Sequence, residues 1–145
     1  MQRATANHYL SQYILLRDAI ERSPYDKMVA QGERFEFITC CTCGKLMSRF
    51  AKNSHAGHFI SKGMGGGSGV YFFESNVHAQ CHNCNKWMQG NGAEYYKFMQ
   101  NKYGQDVIDD LMRKHHLPRP HSIDEYGIMY REKFKELKKK YGLKQ

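Results

Sequence analysis

Residues 76–85 read NVHAQCHNCN, which is two cysteines, two histidines and three asparagines with no acidic side chain. Cys81-x-x-Cys84 in this stretch has a counterpart far upstream in Cys40-x-x-Cys43-Gly44. A C-x-x-C turn aims both sulfurs at one point, and a glycine after the second cysteine lets the backbone turn tightly. Two such pairs supply the four thiolates that tetrahedral zinc prefers. Unpaired buried thiols are the competing reading. A four-cysteine site has no open coordination position, so a Zn²⁺ on Cys40, Cys43, Cys81 and Cys84 is expected to be structural. Its loss is expected to unfold the middle of so small a domain. Cys41 is left over; it is expected to pack as a small hydrophobe or to exchange with Cys40 as a ligand.

His55, His58, Asn76 and His78 lie between the two cysteine pairs, and Asn85 directly follows the last cysteine. Hydrolysis of a phosphodiester needs an activated water and charge neutralisation on the leaving oxygen, and one imidazole with one metal ion supplies both. An ordinary histidine pKa of about 6.5 leaves a neutral fraction to act as a base at neutral pH. The bland alternative is that each histidine is a surface or packed residue.

The elements that must position these residues are short. Residues 3–22 have a helical pattern, with Tyr9, Tyr13, Leu16 and Ile20 on one side and Ser23-Pro24 as the stop. RFEFIT at 34–39 alternates like a strand and runs into the first cysteine pair. AGHFI at 56–60 is a second short extended piece, and VYFFES with NVHAQC predicts a return strand with a turn. His78 then shares a face with Gln80, opposite Val77, Ala79 and Cys81, from which it could approach the site or touch phosphate. A helix starts near Asn83, breaks at GNG (90–92) and resumes in AEYYKFMQNKYG. Another fits DVIDDLMRKHH, where His115 and His116 suit the helix end. SIDE at 122–125 is a capping box. The helix behind it carries Tyr130, Phe134, Leu137 and Tyr141 on one stripe and lysines on the other face.

Lys and Arg outnumber Asp and Glu by 22 to 14, giving +8 and favouring a polyanionic partner. The candidates for phosphate contact are Lys62, Arg131, Lys133, Lys135, Lys138, Lys139 and Lys140; a lysine face that only keeps the helix solvated is the alternative. Five cysteines fit metal binding better than disulfides in a chain expected to be cytoplasmic. No apolar run is long enough to span a membrane, and residues 1–10 lack a signal-peptide pattern. SKGMGGGSG at 61–69 has the glycines of a phosphate loop without its G-K-[ST] ending, so no nucleotide cofactor is expected.

The combination CTCG…AGHFI…NVHAQCHNCN…GN resembles phage recombination proteins of the NinG (Rap) family, within the HNH or ββα-metal endonucleases. The resemblance extends more weakly to YILLRD near the start and to YREKFKEL at 130–137. It implies an α+β fold: a small zinc-stabilised ββα-metal core with flanking N- and C-terminal helices. One domain is expected over 1–145, with an N-terminal helical segment at 3–30, the zinc-bound core at 34–102 and C-terminal helices at 105–141. By the family pattern His58 is the general base. Asn76 holds the loop and orients that base, and Asn85 is a ligand of a catalytic divalent ion. Many HNH proteins place an aspartate immediately before the base, where this chain has Gly57. NinG relatives tend to read D-A-G-H, and this chain reads HAGH, which puts His55 in the acid's place as the second ligand. Nitrogen suits Mn²⁺ and other transition ions better than Mg²⁺, the ion usual for the family. Asn91 matches the family's GN or caps the next helix.

The function implied is a structure-selective DNA endonuclease acting on branched recombination intermediates such as Holliday junctions and D-loops. The competing reading is a non-catalytic zinc-ribbon DNA-binding accessory module. Resolving a four-way junction takes two incisions, which favours a homodimer.

Overall fold

The computed structural model describes residues 1–24, 34–61 and 67–145. Lys62, most of the glycine-rich stretch and residues 25–30 of the expected N-terminal segment lie outside the described residues.

Helix α1 (Arg3–Arg22) packs on the last helix and on both sheets. Ala6, Leu10, Ile14, Leu16, Ala19 and Ile20 recur at three- and four-residue spacing and are all buried, which gives α1 an apolar stripe wide enough to serve several neighbours. Strands β1 (Phe37–Thr39) and β2 (Leu46–Ser48) form an antiparallel hairpin in the register Phe37↔Ser48. Its turn is the first C-x-x-C: the Cys40 N–H donates to the Lys45 carbonyl at 2.8 Å, and the Gly44 N–H to the Cys40 carbonyl at 2.9 Å. Gly44 sits at φ +78, where a side chain is strained, so the glycine expected after the second cysteine has its reason.

A second antiparallel pair joins β3 (Ser54–His58) to β4 (Val77–Cys81), with His58 opposite Val77 and Ser54 opposite Cys81. No third strand adds to either edge among the described residues. The outer edge of β4 is satisfied in other ways. Ala79 N–H donates to Asp18 Oδ2 at 2.7 Å, and its carbonyl accepts from the Cys41 N–H at 2.9 Å. Arg17 donates to the Val77 and Glu74 carbonyls at 2.6 and 2.7 Å. Two neighbouring charged residues of α1 thus do part of the hydrogen bonding that a third strand would do.

The return strand is shorter than VYFFES suggests. Residues 70–73 are not strand: the Tyr71 and Phe73 N–H groups close turns onto Ser68 and Val70, and Glu74–Asn76 is a single 3-10 turn. These aromatics are spent on packing: Tyr71 and Phe72 join α1 and α4, and Val70 joins Ile60, Tyr95 and Met99.

After β4, a π-helical turn (Asn83–Trp87) leads into α2 (Gly92–Lys102), then α3 (Gln105–His115) and α4 (Ile123–Lys140). Ser122 and Glu125 close the reciprocal capping box at the start of α4. Tyr130 is buried, and Phe134, Leu137 and Tyr141 pack against the core beside β1. Gly127 lets α4 approach α1, because a Cβ there would meet Met1 and Ala6. The chain is therefore α+β, with two small two-stranded sheets and four helices among the described residues.

Candidate functional site

The two C-x-x-C turns meet. The sulfurs of Cys40, Cys43, Cys81 and Cys84 all lie within 4.8 Å of one another, close enough to surround one metal ion. Donors already face them: Thr42 Oγ1 is 3.3 Å from Cys40 Sγ, the Cys84 N–H is 3.4 Å from Cys81 Sγ, and Asn91 Nδ2 is 3.6 Å from Cys84 Sγ. Burial raises the Cys40 pKa, but the Thr42 hydroxyl and backbone N–H groups outweigh it and bring the thiol down to about 6. Cys43 is pushed up to about 12, by desolvation first and then by its sulfur neighbours. Four sulfurs this close cannot share several negative charges without a cation, and the N–H···S donors are those that stabilise metal thiolates. The residues present fit a structural zinc. Cys41 turns away: it packs as a partly buried hydrophobe beside Tyr95, and burial drives its pKa up.

The second feature is an open cleft of about 850 Å³. It is lined along β3 by Ser54, His55, Ala56 and His58, from α1 by Asn7, Leu10 and Ser11, and after the last cysteine by Asn85, Lys86 and Gln89. The free edge of β3 therefore forms one wall. His58, the last residue of β3, is half-buried with its ring stacked on Tyr71 at 4.0 Å between centroids. His55 Nδ1 lies 2.8 Å from the Asn85 side-chain amide, and His82 Nδ1 lies 3.4 Å from His55 Nε2. Burial, followed by the nearby His82 and Lys86, holds the His55 pKa below its ordinary value. The contacting Asn85 atom is Nδ2, so His55 Nδ1 accepts its N–H; with the amide turned about, the imidazole and the amide oxygen could together accept a divalent ion that tolerates nitrogen. Asn85 reaches His55 because Cys84, one residue before it, is fixed in the thiol cluster.

Asn76 is fully buried, and its carbonyl accepts from the N–H of Phe59, the residue after His58, at 2.8 Å. Its Oδ1 accepts from the Ile60 N–H at 2.8 Å, and its Nδ2 donates to the Ile60 and Val70 carbonyls at 2.8 and 3.1 Å. It therefore ties together the two ends of the connection that leaves β3 after His58. A side chain on Gly57 would have to displace Gln80, since a Cβ there would fall 2.0 Å from Gln80 Oε1 and 2.9 Å from its Cβ. Gln80 uses that space to link the two cysteine turns, donating to Thr42 Oγ1 at 3.1 Å and to the Gly90 carbonyl at 2.7 Å. An aspartate immediately before His58 would destroy this bridge.

One expectation is corrected. His78 does share its strand face with Gln80, but α2 covers that face. His78 is 1% exposed, with Nδ1 3.1 Å from the Tyr95 hydroxyl and Nε2 2.7 Å from the Tyr103 hydroxyl. Both nitrogens are engaged inside the core, so it can contact neither phosphate nor the cleft. Desolvation lowers its pKa to about 2, which keeps the ring neutral.

The cations of α4 lie apart from the cleft, whose walls include no residue of that helix. Lys133 is bound to Glu74 at 2.7 Å, Arg131 and Lys135 face Glu132, and Lys138 and Lys140 lie over the rings of Phe134 and Tyr141. Lys139 is exposed. Several residues of the cleft went unnoticed in the sequence: Lys86 and Gln89 after the last cysteine, and Asn7 and Ser11 on α1. His82, expected to be exposed between the cysteine ligands, is exposed, and it lies beside His55. Asn7 and Ser11 gave no signal, since helical periodicity places them only on a polar flank. Asn91 is an N-cap whose side chain serves Cys84 rather than the helix.

A four-thiol cluster and an adjoining histidine–asparagine cleft on a small basic α+β scaffold define the class to which this protein belongs. The family described as Bacteriophage Lambda NinG protein matches residues 26–140, and the chain belongs to that family. It is 29% identical over 109 residues to Protein ninG of Escherichia phage 933W, an alignment covering 73% of this chain and 51% of that protein. Against Protein ninG of Escherichia phage lambda it is 29% identical over 109 residues, covering 73% of this chain and 50% of the relative. The chain thus spans about half the length of the curated relatives it matches. No solved structure matches it.

Proposed function

We propose that this chain is a metal-dependent DNA endonuclease of the HNH (ββα-metal) type that cuts branched recombination intermediates. The observation that carries this reading is the convergence of His58, His55 and Asn85 on one open cleft beside a thiol cluster that needs no open position. A DNA-binding domain held together by zinc alone has no use for a second, unsaturated donor set.

Cys40, Cys43, Cys81 and Cys84 hold zinc, which fixes the two turns. In the cleft, His55 and Asn85 would hold a catalytic divalent ion, which when bound would supply charge neutralisation on the leaving oxygen. His58 accepts the proton of a water as its oxygen bonds to phosphorus, and the bond from phosphorus to the leaving sugar oxygen breaks. Tyr71 supports one face of the imidazole, and Asn76 fixes the backbone that carries it. The nitrogen of His55 favours Mn²⁺ over Mg²⁺. Paired incision of a four-way junction needs two such clefts, hence a homodimer.

The test is cleavage of matched linear, flapped, looped and four-way DNA with Mg²⁺ or Mn²⁺ added to zinc-loaded protein. Incision of the branched substrates in preference to the linear one, stronger with Mn²⁺, is expected. Tight binding of all four with no incision under either ion points instead to the non-catalytic accessory module.

A further inference from the structure

Arg3 opens α1, and Arg119 stands between Pro118 and Pro120 in the connection from α3 to α4. The fold brings these two ends together at one place. A Cβ built on Gly67 would lie 3.5 Å from Arg3 Nη2 and 3.5 Å from Arg119 Nη1, so both guanidinium groups face the same backbone. Arg3 Nη1 and Arg119 Nε are buried atoms with no hydrogen-bond partner among the described residues. Among the described residues neither arginine meets a carboxylate within ion-pair distance. A buried guanidinium N–H without an acceptor is costly, and two like charges at one spot add repulsion. This pattern is one that an incoming anion relieves.

The position says which anion. Arg3 lies over the Tyr71 ring, 4.9 Å from its centroid, and His58 stacks on the same ring at 4.0 Å. One turn along α1 from Arg3, Asn7 lines the cleft. The Gly69 N–H donates to the His115 carbonyl at 3.1 Å, and a Cβ on Gly69 would collide with the Leu117 and Lys114 carbonyls. That contact ties the Gly67–Gly69 backbone to the end of α3, close to the segment carrying Arg119.

We propose that Arg3 and Arg119 form a two-guanidinium clamp for a phosphate of the nucleic-acid backbone, one that flanks the phosphate presented to His58. The proposal rests on the reading of the cleft as a DNA site. Guanidinium forks match the oxygens of a phosphodiester in paired hydrogen bonds, which lysines cannot do. The clamp fixes the strand on one side of the reacting phosphate and supplies the cationic contact that the α4 lysines, outside the cleft, do not provide. Arg3 and Arg119 are positioning residues in this account.

The test is equilibrium binding of duplex and four-way DNA by the zinc-loaded full chain, without added catalytic metal, over a range of salt concentrations. The wild type, R119Q and R3Q/R119Q are compared, with R113Q as control because Arg113 is engaged by Asp110. On duplex DNA each lost phosphate contact lowers the slope of log affinity against log salt by about 0.9. R3Q/R119Q is expected to lose about twice that and R113Q nothing. R119Q is also expected to melt no lower than wild type without DNA, since it removes a guanidinium whose Nε is buried without a partner. An unchanged slope in R3Q/R119Q overturns the clamp. So does an R119Q protein that melts lower yet binds DNA normally, because the residue is then structural. Should the double variant not fold, R3Q and R119Q singly are read the same way. Inorganic phosphate forms a separate arm: if it raises the melting temperature of wild type but not of R119Q while the DNA slope is unchanged, the site takes free anions and the proposal fails. Cleavage in the same panel keeps the two readings apart. Wild type that binds but never cuts removes the nuclease reading and leaves the slopes to decide the clamp; wild type that cuts with unchanged slopes removes the clamp alone.

Discussion

The thiol cluster and the histidine cleft share a strand pair and a few connecting residues, yet they are built on opposite principles. Around the cluster the donors are saturated: four sulfurs face one another, and Thr42, Asn91 and backbone N–H groups complete their surroundings. Around the cleft the donors are few, half-exposed and arranged along the free edge of β3. A site meant to hold its shape is closed, and a site meant to do chemistry leaves positions open. The two are coupled by one step along the chain, from Cys84 to Asn85, and by one contact across the strand pair, Gln80 against Gly57.

The largest effect comes from breaking the closed region. Cys84→Ser is expected to abolish stoichiometric zinc and with it cooperative folding, since structural zinc supplies on the order of 10 kcal/mol to small domains. Elemental analysis and a thermal melt read this directly; a Cys84→Ser protein that melts like wild type removes the structural metal from the account.

Next comes the link between the regions. Asn76→Ala leaves the Ile60 N–H and the Ile60 and Val70 carbonyls without their buried partner. A loss of about 1–3 kcal/mol for each group left unsatisfied is expected, measured by urea unfolding. Zinc content should persist, because the cysteines are untouched. Loss of less than 1 kcal/mol would show that the connection after His58 is held by something else.

How much of this the sequence discloses differs between the regions, for a physical reason. The thiol cluster is legible because two short-range spacings and a glycine turn suffice to define it. The capping box at Ser122 and the apolar stripes of α1 and α4 are legible in the same way, since each is local. The cleft is less so. It draws on α1, β3 and the turn after Cys84, and nothing in Asn7 or Ser11 marks them as neighbours of His58. His78 shows the limit clearly. Alternation along β4 fixes the face on which it stands but not what covers that face, and Tyr95 and Tyr103 on and just beyond α2 seal it. The aromatic run at 70–73 misleads for a related reason: it has strand-like composition, yet its side chains fill two separate clusters from a turn.

His78 also carries a pH signature. Its folded pKa of about 2 lies below the ordinary value, so the unfolded chain takes up a proton that the folded protein refuses. Its contribution is complete above about pH 6.5 and declines as pH falls, by about 1.4 kcal/mol per unit. His78→Gln is expected to be less stable at pH 7 and to show a shallower loss between pH 6 and 4.5. Equal acid slopes in the two proteins contradict a neutral buried His78.

The smallest expected effect sharpens the open region without breaking it. His55→Asp exchanges a nitrogen donor for an oxygen donor beside Asn85. Activity is expected to persist while the ratio of rates in Mg²⁺ and Mn²⁺ shifts toward Mg²⁺. An unchanged ratio would take His55 out of the metal site.

The central claim is that the open cleft performs hydrolysis with His58 as its base, and one comparison tests it most directly. Wild-type and His58→Ala proteins, matched for zinc content, melting temperature and DNA affinity, are assayed for cleavage of four-way DNA in saturating Mn²⁺. The account predicts incision by the wild type and a rate lower by about 10² to 10⁴ in the variant, the usual contribution of a general base. Cleavage by His58→Ala at the wild-type rate would contradict it.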